Sequence, residues 1–372
     1  MQILKSATQT LQALVQGRPG NNLNALRLLL AALVILAHSF PLATGQEGDP
    51  LYVLSHGQAT FGGLAVNLFF FISGLLITAS WLNSRSMNDY LRRRVLRIVP
   101  GYLCALGFSF VIASLFALHH FADLPARLAR FGDVVLLGYH GVSGDWIFPN
   151  NVYPHQGNGS LWTIGREFFC YLVIAGVGLF GLFKHRGLLL AVFLLFFAYY
   201  SLTLLKGGDI EYSDRRFLTF FLAGACAWLW RDKLPIHAGL AVVALVIAVG
   251  AARFTPLFLV VQPVAACYLV LWAGFAFRVP AFAWCDRTDL SYGTYLYAFP
   301  VQQALSALGV GNPWVLFLIA TPVVLGVAWF SWVMVEKPCL KLKSKDFTDR
   351  DPGLAAHTKL ATPVAAEAKS SW

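Results

Sequence analysis

The chain has 372 residues, of which 58% are hydrophobic, 15% aromatic and only 12% charged. Soluble globular domains carry about 25% charged residues, so this composition, with a mean hydropathy of +0.63, excludes an ordinary soluble domain and points to a polytopic membrane protein. The net charge of +10 does not imply nucleic acid, because the basic residues sit in short segments between apolar runs and in the C-terminal tail, the pattern that orients membrane spans.

Residues 1–23 lack a basic region leading directly into an apolar run with a small-residue cleavage site. They are read as a cytoplasmic segment ahead of a retained span, not as a cleaved signal peptide. A helical span needs about 20 mainly apolar residues. Ten runs meet or approach that length: 24–42, 60–82, 98–119, 161–183, 188–205, 216–231, 236–252, 256–277, 290–308 and 314–335, the sixth and seventh being short. The runs are continuous and rich in Leu, Ala and Phe, unlike the alternating segments of a β-barrel. The expected fold class is therefore all-α, a polytopic transmembrane helical bundle of about ten spans over residues 24–343. Residues 344–372 are rich in Ala and Lys with no apolar period and read as a disordered cytoplasmic tail. With both termini cytoplasmic, 21 Lys and Arg fall inside and six outside, and Arg166 lies in a span. This asymmetry supports that orientation.

The outer connection of about 120–160 contains "YHGVSGDWIFPNNVYPHQGNGS". Its Gly, Pro and Asn predict irregular backbone. Asp145, Trp146, Tyr153 and His155 there are candidates for holding a polar ligand such as a sugar, although a solvated loop on the membrane surface is the favoured reading. No internal repeat is visible. The six Cys form no CxxC pair or other ligand spacing, which gives neither a disulfide framework nor a metal site.

Chemistry-bearing residues stand out against this apolar background. Arg27 and His38 lie in the first span, eleven residues apart, which is about three helical turns and a rise of roughly 16 Å along one face. Ionisable side chains facing lipid are costly, so both should face the bundle interior. His38 is then either a structural hydrogen-bonding histidine or a general base. In "YLRRRVLRIVPGY" (90–102), Arg93 and Arg94 share a helix face with Arg97, and arginine forks suit phosphate oxygens. Plain positive-inside anchoring is the alternative for that cluster. Pro100 predicts a break in the chain at the membrane boundary. In "SLWTIGREFFCYL" (160–172), Glu167 sits beside Arg166, as part of an internal ion pair or as a carboxylate orienting a histidine. Ser73–Gly74 in "GLAVNLFFFISGLLITASW" (63–81) favours close helix packing. "LSYGTYLYAFPVQQ" (290–303) opens a span with three Tyr and a Pro300 expected to kink it, and "VEKPCLKLK" closes the last span.

Taken in order, these segments resemble the integral-membrane acyltransferase-3 family, over about Leu26 to Pro338. Arg27-x10-His38, "VNLFFFISGLLI", "RRVLRIVP", "LWTIGREFFCY", "SYGTYL" and "VEKP" each look like one of its motifs. The chain departs at Asn67, where members often carry Asp, and at Ala298 and Phe299, where many carry a His. The fused esterase-like domain of some members is not expected here. The resemblance implies transfer of an acyl group, usually acetyl, from cytoplasmic acetyl-CoA to a sugar hydroxyl, in the bacterial cytoplasmic (inner) membrane. It implies no tightly bound cofactor. Its acceptor would be a glycan or lipid-linked sugar. It assigns His38 and Glu167 to catalysis and Arg27, Arg93, Arg94 and Arg97 to the CoA phosphates. It gives Trp162, Ser73, Tyr292 and Tyr295 to substrate. Glu167 is expected to orient His38, if packing brings the two together, and direct transfer and a transient acyl-enzyme both remain open. The competing class is a secondary transporter exporting a glycan or lipid precursor, although the absence of repeated halves argues against it. A non-catalytic scaffold of a glycan-assembly complex is the third reading.

Overall fold

The computed structural model describes residues 9–17, 20–116, 142–208, 213–254 and 256–348. Thirteen α-helices fill them: α1 Leu11–Gly17, α2 Leu23–Thr44, α3 Pro50–Leu54, α4 Phe61–Leu82, α5 Met87–Leu115, α6 Trp162–Leu179, α7 Arg186–Leu205, α8 Asp214–Leu229, α9 Ala238–Ala251, α10 Leu257–Phe275, α11 Ser291–Ala307, α12 Pro313–Ser331 and α13 Lys337–Thr348. Strands are confined, among these residues, to two short antiparallel pairs: Gln9–Thr10 with Pro235–Ile236, and Val142–Ser143 with Gln156–Asn158. The expected all-α membrane bundle is what forms. Each of the ten apolar runs coincides with a helix, α2 and α4 to α12. Seven helical stretches among the described residues are long and apolar enough to cross a membrane, the last running from Pro313 to Leu342. α8, α9 and α11 are shorter.

α11 is the central helix. Every residue from Ser291 to Gln303 is buried, and α2, α5 and α12 pack around it. Its register with α2 is fixed at both ends. Arg27 reaches Asp289 just ahead of α11, while Gln302 Nε2 donates to Ile35 O and Ser39 Oγ, both at 2.8 Å. Ser306 Oγ donates to Leu42 O. α2 and α11 therefore run parallel, with an Arg27 end and a His38 end. α5 runs the same way, since Tyr292 donates to Ile98 O and Asn158 Nδ2 bridges Ser109 Oγ and Leu296 O.

α4 packs most extensively against α8. A Cβ on Gly74 would collide with the Phe221 carbonyl, and one on Gly224 with the Phe71 carbonyl. This reciprocal contact bears out the close packing expected at Ser73–Gly74. At the periphery, α7 and α9 expose Leu194, Leu195, Leu202, Val242, Val246 and Val249, as lipid-facing helices do.

Three expectations are corrected. Pro100 does not break the chain: α5 is one helix from Met87 to Leu115, and the arginine cluster rides on it. Pro100 stands in mid-helix among buried Ile98, Gly101 and Tyr102, and prolines are tolerated inside membrane helices because neighbouring elements meet the freed backbone groups. The segment 143–160 is not a solvated loop. Ile147 and Phe148 are each 1% exposed, and Gln303 Nε2 ties the segment to α11 by donating to Tyr153 O and Gln156 O. Of its four candidate ligand residues Tyr153 lines the cavity that also holds His38, whereas Asp145 and His155 are exposed and Trp146 packs on the core. Residues 117–141 of that connection lie outside the described residues. The last helix reaches Thr348, so residues 344–348, read as tail, are helical. The rest of the tail lies outside the described residues.

Candidate active site

Two cavities lie end to end along α2. The first, with about 770 Å³ of empty space, is lined by Arg27, Ser73, Arg94, Arg97, Glu167, Tyr171, Tyr292 and Tyr295. The second, with about 1330 Å³, takes His38, Trp162, Arg166, Arg216, Tyr295 and Phe299. Val66 and Tyr295 line both, so these two side chains form the wall between them.

The first cavity is built on a buried charge cluster. Asp289 Oδ2 accepts from Arg27 Nη1 at 2.9 Å and Arg97 Nη2 at 2.5 Å, and Oδ1 accepts from Ser291 Oγ at 2.6 Å. Burial alone would raise the Asp289 carboxyl, but the two guanidinium groups overcome it and hold the group well below the usual carboxylate range. Glu336 Oε2 lies 3.9 Å from Arg97 Nη1. The last turn before α13, Trp332–Glu336, is a π-helical segment, and it sets Glu336 2% exposed beside the cluster. Such insertions are frequent at functional sites. Arg94 Nη2 donates to Ser80 Oγ at 3.1 Å, and its guanidinium lies about 6 Å from the Tyr90 and Tyr171 rings. Arg94 makes no ion pair with a carboxylate among the described residues, and its Nε donates to nothing there. Arg93 pairs with Asp89 one turn back on α5 and lines neither cavity.

Glu167 belongs to this first cavity. Its Oε1 accepts from Ser73 Oγ at 3.0 Å and from Tyr171 Oη. It makes no hydrogen bond with His38, which lines the other cavity, so the expected carboxylate–histidine pair does not form. The spacing explains this. Glu167 lies one turn into α6, where Ser73 of α4 and Tyr171, one turn further on the same face, both donate to its Oε1.

His38 faces the second cavity. Its ring packs edge-on against Phe299 with centroids 5.3 Å apart, and its Nδ1 is buried with no hydrogen-bond partner. Trp162 lies against the Arg166 guanidinium, 4.4 Å from ring centroid to Cζ. Tyr295, at the dividing wall, is held by Thr163 Oγ1 at 2.8 Å and Ser160 O at 3.1 Å. The structure thus brings Arg27, Arg94, Arg97, Ser73, Glu167 and Tyr292 to one side of Tyr295, and His38 and Trp162 to the other. Asp289, Glu336 and Tyr171 were missed from sequence. Glu336 stood in the quoted "VEKP", Asp289 stands one residue ahead of "LSYGTYL", and the Glu167–Tyr171 spacing of four was a visible signal.

The family model described as an acyltransferase domain, Acyl_transf_3, matches residues 21–333. The chain belongs to that family. This decides for the acyltransferase over the exporter and the scaffold. Similar proteins include an O-acetyl transferase of Shigella phage Sf6, 28% identical over 87% of this chain and 97% of the relative. Nodulation protein 10 of Rhizobium leguminosarum bv. viciae is 26% identical, over 87% of this chain and 94% of the relative. No solved structure matches the chain. Family membership and the long apolar helices make this acyltransferase an integral membrane protein.

Proposed function

We propose that this acyltransferase moves an acetyl group from acetyl-CoA, bound in the arginine-lined cavity, to a hydroxyl of a glycan or lipid-linked sugar in the His38 cavity. The observation that carries the reading is the pair of cavities sharing only a thin wall, one basic and the other holding a histidine with no protein partner at Nδ1. CoA is a phosphate-bearing anion, and Arg27, Arg94 and Arg97 supply the donors that suit it. Ten traverses with both termini cytoplasmic would open that cavity to the cytoplasm of a bacterial inner membrane and the His38 cavity to the outer side. The name of the phage relative, an O-acetyl transferase, agrees with acetyl as the group and oxygen as the acceptor.

In the proposed reaction the pantetheine arm brings the thioester carbonyl to the Val66–Tyr295 wall. His38 takes the proton from the acceptor hydroxyl as its oxygen attacks that carbonyl. The C–S bond breaks, the new ester leaves on the outer side, and the CoA thiolate recovers the proton from the imidazolium. Glu167 acts as a positioning residue, holding Ser73 and Tyr171 around the donor arm. Trp162 offers an aromatic face to the sugar.

The test is alkali-labile acetyl on the surface glycans of a deletion strain carrying wild type, His38→Ala or empty vector, read by proton NMR at equal protein levels. Acetyl should appear with wild type and vanish with His38→Ala. Identical acetylation in wild type and vector would end the reading. In purified enzyme, His38→Ala should lower kcat by about 10²–10⁴-fold, the usual worth of a general base, with the Kd for acetyl-CoA unchanged, because His38 does not line the donor cavity.

A further inference from the structure

A third cavity, with about 1230 Å³ of empty space, abuts the His38 cavity and shares Glu47, Thr60, Gly63 and Arg216 with it. It lies between the start of α4 and the facing ends of α7 and α10, and nothing in the reaction proposed above uses it. Its polarity is set by a chain of three side chains. Arginine can only donate, and Arg216 Nε donates to Asn67 Oδ1 at 2.6 Å. That fixes the Asn67 amide so that its Nδ2 donates to Gln262 Oε1 at 2.9 Å. Gln262 Oε1 is thereby engaged, and Gln262 Nε2 is left as a donor. Gln262 is 1% exposed, lines this cavity, and its Nε2 has no partner. A buried amide donor left unmade costs free energy unless something supplies an acceptor. The identity of residue 67 decides the sign: an Asp there has no N–H to give Gln262 Oε1 and would turn the Gln262 amide around.

We propose that this third cavity is a second acceptor subsite. It takes a sugar residue next to the one being acetylated, and Gln262 Nε2 donates to an oxygen of that sugar. This rests on the reading that the acceptor is a glycan bound on the His38 side. The enzyme then recognises an oligosaccharide, not a lone sugar, and selects its acceptor through two adjoining cavities.

The experiment uses the full chain in detergent micelles with radiolabelled acetyl-CoA. The probes are single-sugar and three-sugar fragments of the producing strain's own surface glycan, prepared by mild acid hydrolysis. The readout is the ratio of kcat/KM for the longer over the shorter fragment. Wild type should favour the longer fragment. Leu259→Trp, which fills the third cavity, should lower the ratio about tenfold, and Gln262→Leu, which removes the donor, should lower it in the same direction. Transfer to the single sugar reports that each variant is folded. A wild-type ratio near one, or a ratio unchanged in both variants while acetyl is still transferred, overturns the subsite and leaves the acyltransferase reading standing. If wild type acetylates neither fragment, the glycan reading itself fails and the subsite falls with it.

Discussion

Asp289 shares one carboxylate between two arginines that come from distant helices, 262 and 192 residues away in sequence. Its side chain is 14% exposed and those of Arg27 and Arg97 are 20% and 16% exposed, so the cluster is poorly solvated. Removing one partner of such a buried set leaves uncompensated charge and costs about 3–5 kcal/mol. Asp289→Ala should therefore lower the melting temperature in detergent, and it should also raise the KM for acetyl-CoA as Arg27 and Arg97 lose their fixed geometry. The sign with pH follows from the depressed native pKa. The carboxylate's contribution is complete above its unfolded pKa of about 3.9 and is lost as pH falls below that toward the native value. The gap between wild type and Asp289→Ala should stay constant near neutrality and narrow only below about pH 4. A constant gap at pH 3 would remove the ion cluster as its cause. From sequence, Arg27 and His38 were legible because charge inside an apolar run is conspicuous, and Arg97 because it shares a helix face with Arg93 and Arg94. Asp289 was not, since an acid between two apolar segments looks like any loop residue until its partners fold onto it.

At the scale of elements, the apolar runs gave every long helix, because hydrophobic length is a direct record of membrane thickness. What lies between the runs was harder to read. Segment 143–160 has the Gly, Pro and Asn of a surface loop, yet Gln303 Nε2 donates to its Tyr153 and Gln156 carbonyls and Asn151 Nδ2 donates in return to the Gln303 carbonyl, a long-range solution with no local signature. The π segment at Trp332–Glu336 is equally silent in sequence. The α4–α8 contact makes a sharper test. Gly74 faces backbone, the Phe221 carbonyl, which cannot move aside as a side chain can. Gly74→Leu should abolish the monodisperse peak in size-exclusion chromatography of the detergent-solubilised protein. Gly107→Ala on α5, where a Cβ meets nothing within 4 Å, should leave that peak intact and add slightly to stability through helix propensity. Equal behaviour of the two variants would show that the α4–α8 approach is looser than described.

For the whole molecule, the proposed reaction puts two ligands of different chemistry on opposite sides of one wall. In that proposal the cavity holding Arg27, Arg94 and Arg97 takes the phosphate-bearing donor, the larger cavity holding Trp162 and His38 takes the sugar, and only an acetyl group needs to pass. Val66 and Tyr295 close the gap, and Val66 is the side chain of the two with no hydrogen bond to constrain it. Val66→Trp should fill the opening from α4 without touching Arg27, Arg94, Arg97 or His38. The expected result is a fall in kcat of at least 10²-fold, the cost of misplacing reacting groups by about 1 Å, with a much smaller rise in the Kd for acetyl-CoA by isothermal titration, because Val66 lines the acyl end of the donor cavity while the arginines proposed for the phosphates are untouched. Val66→Ala should retain transfer and allow slow hydrolysis of acetyl-CoA, as water from the larger cavity reaches the thioester. Full transfer by Val66→Trp would mean that the acetyl group crosses elsewhere in the bundle. In that case His38 and the arginine cluster would not belong to one reaction path, however close the two cavities lie.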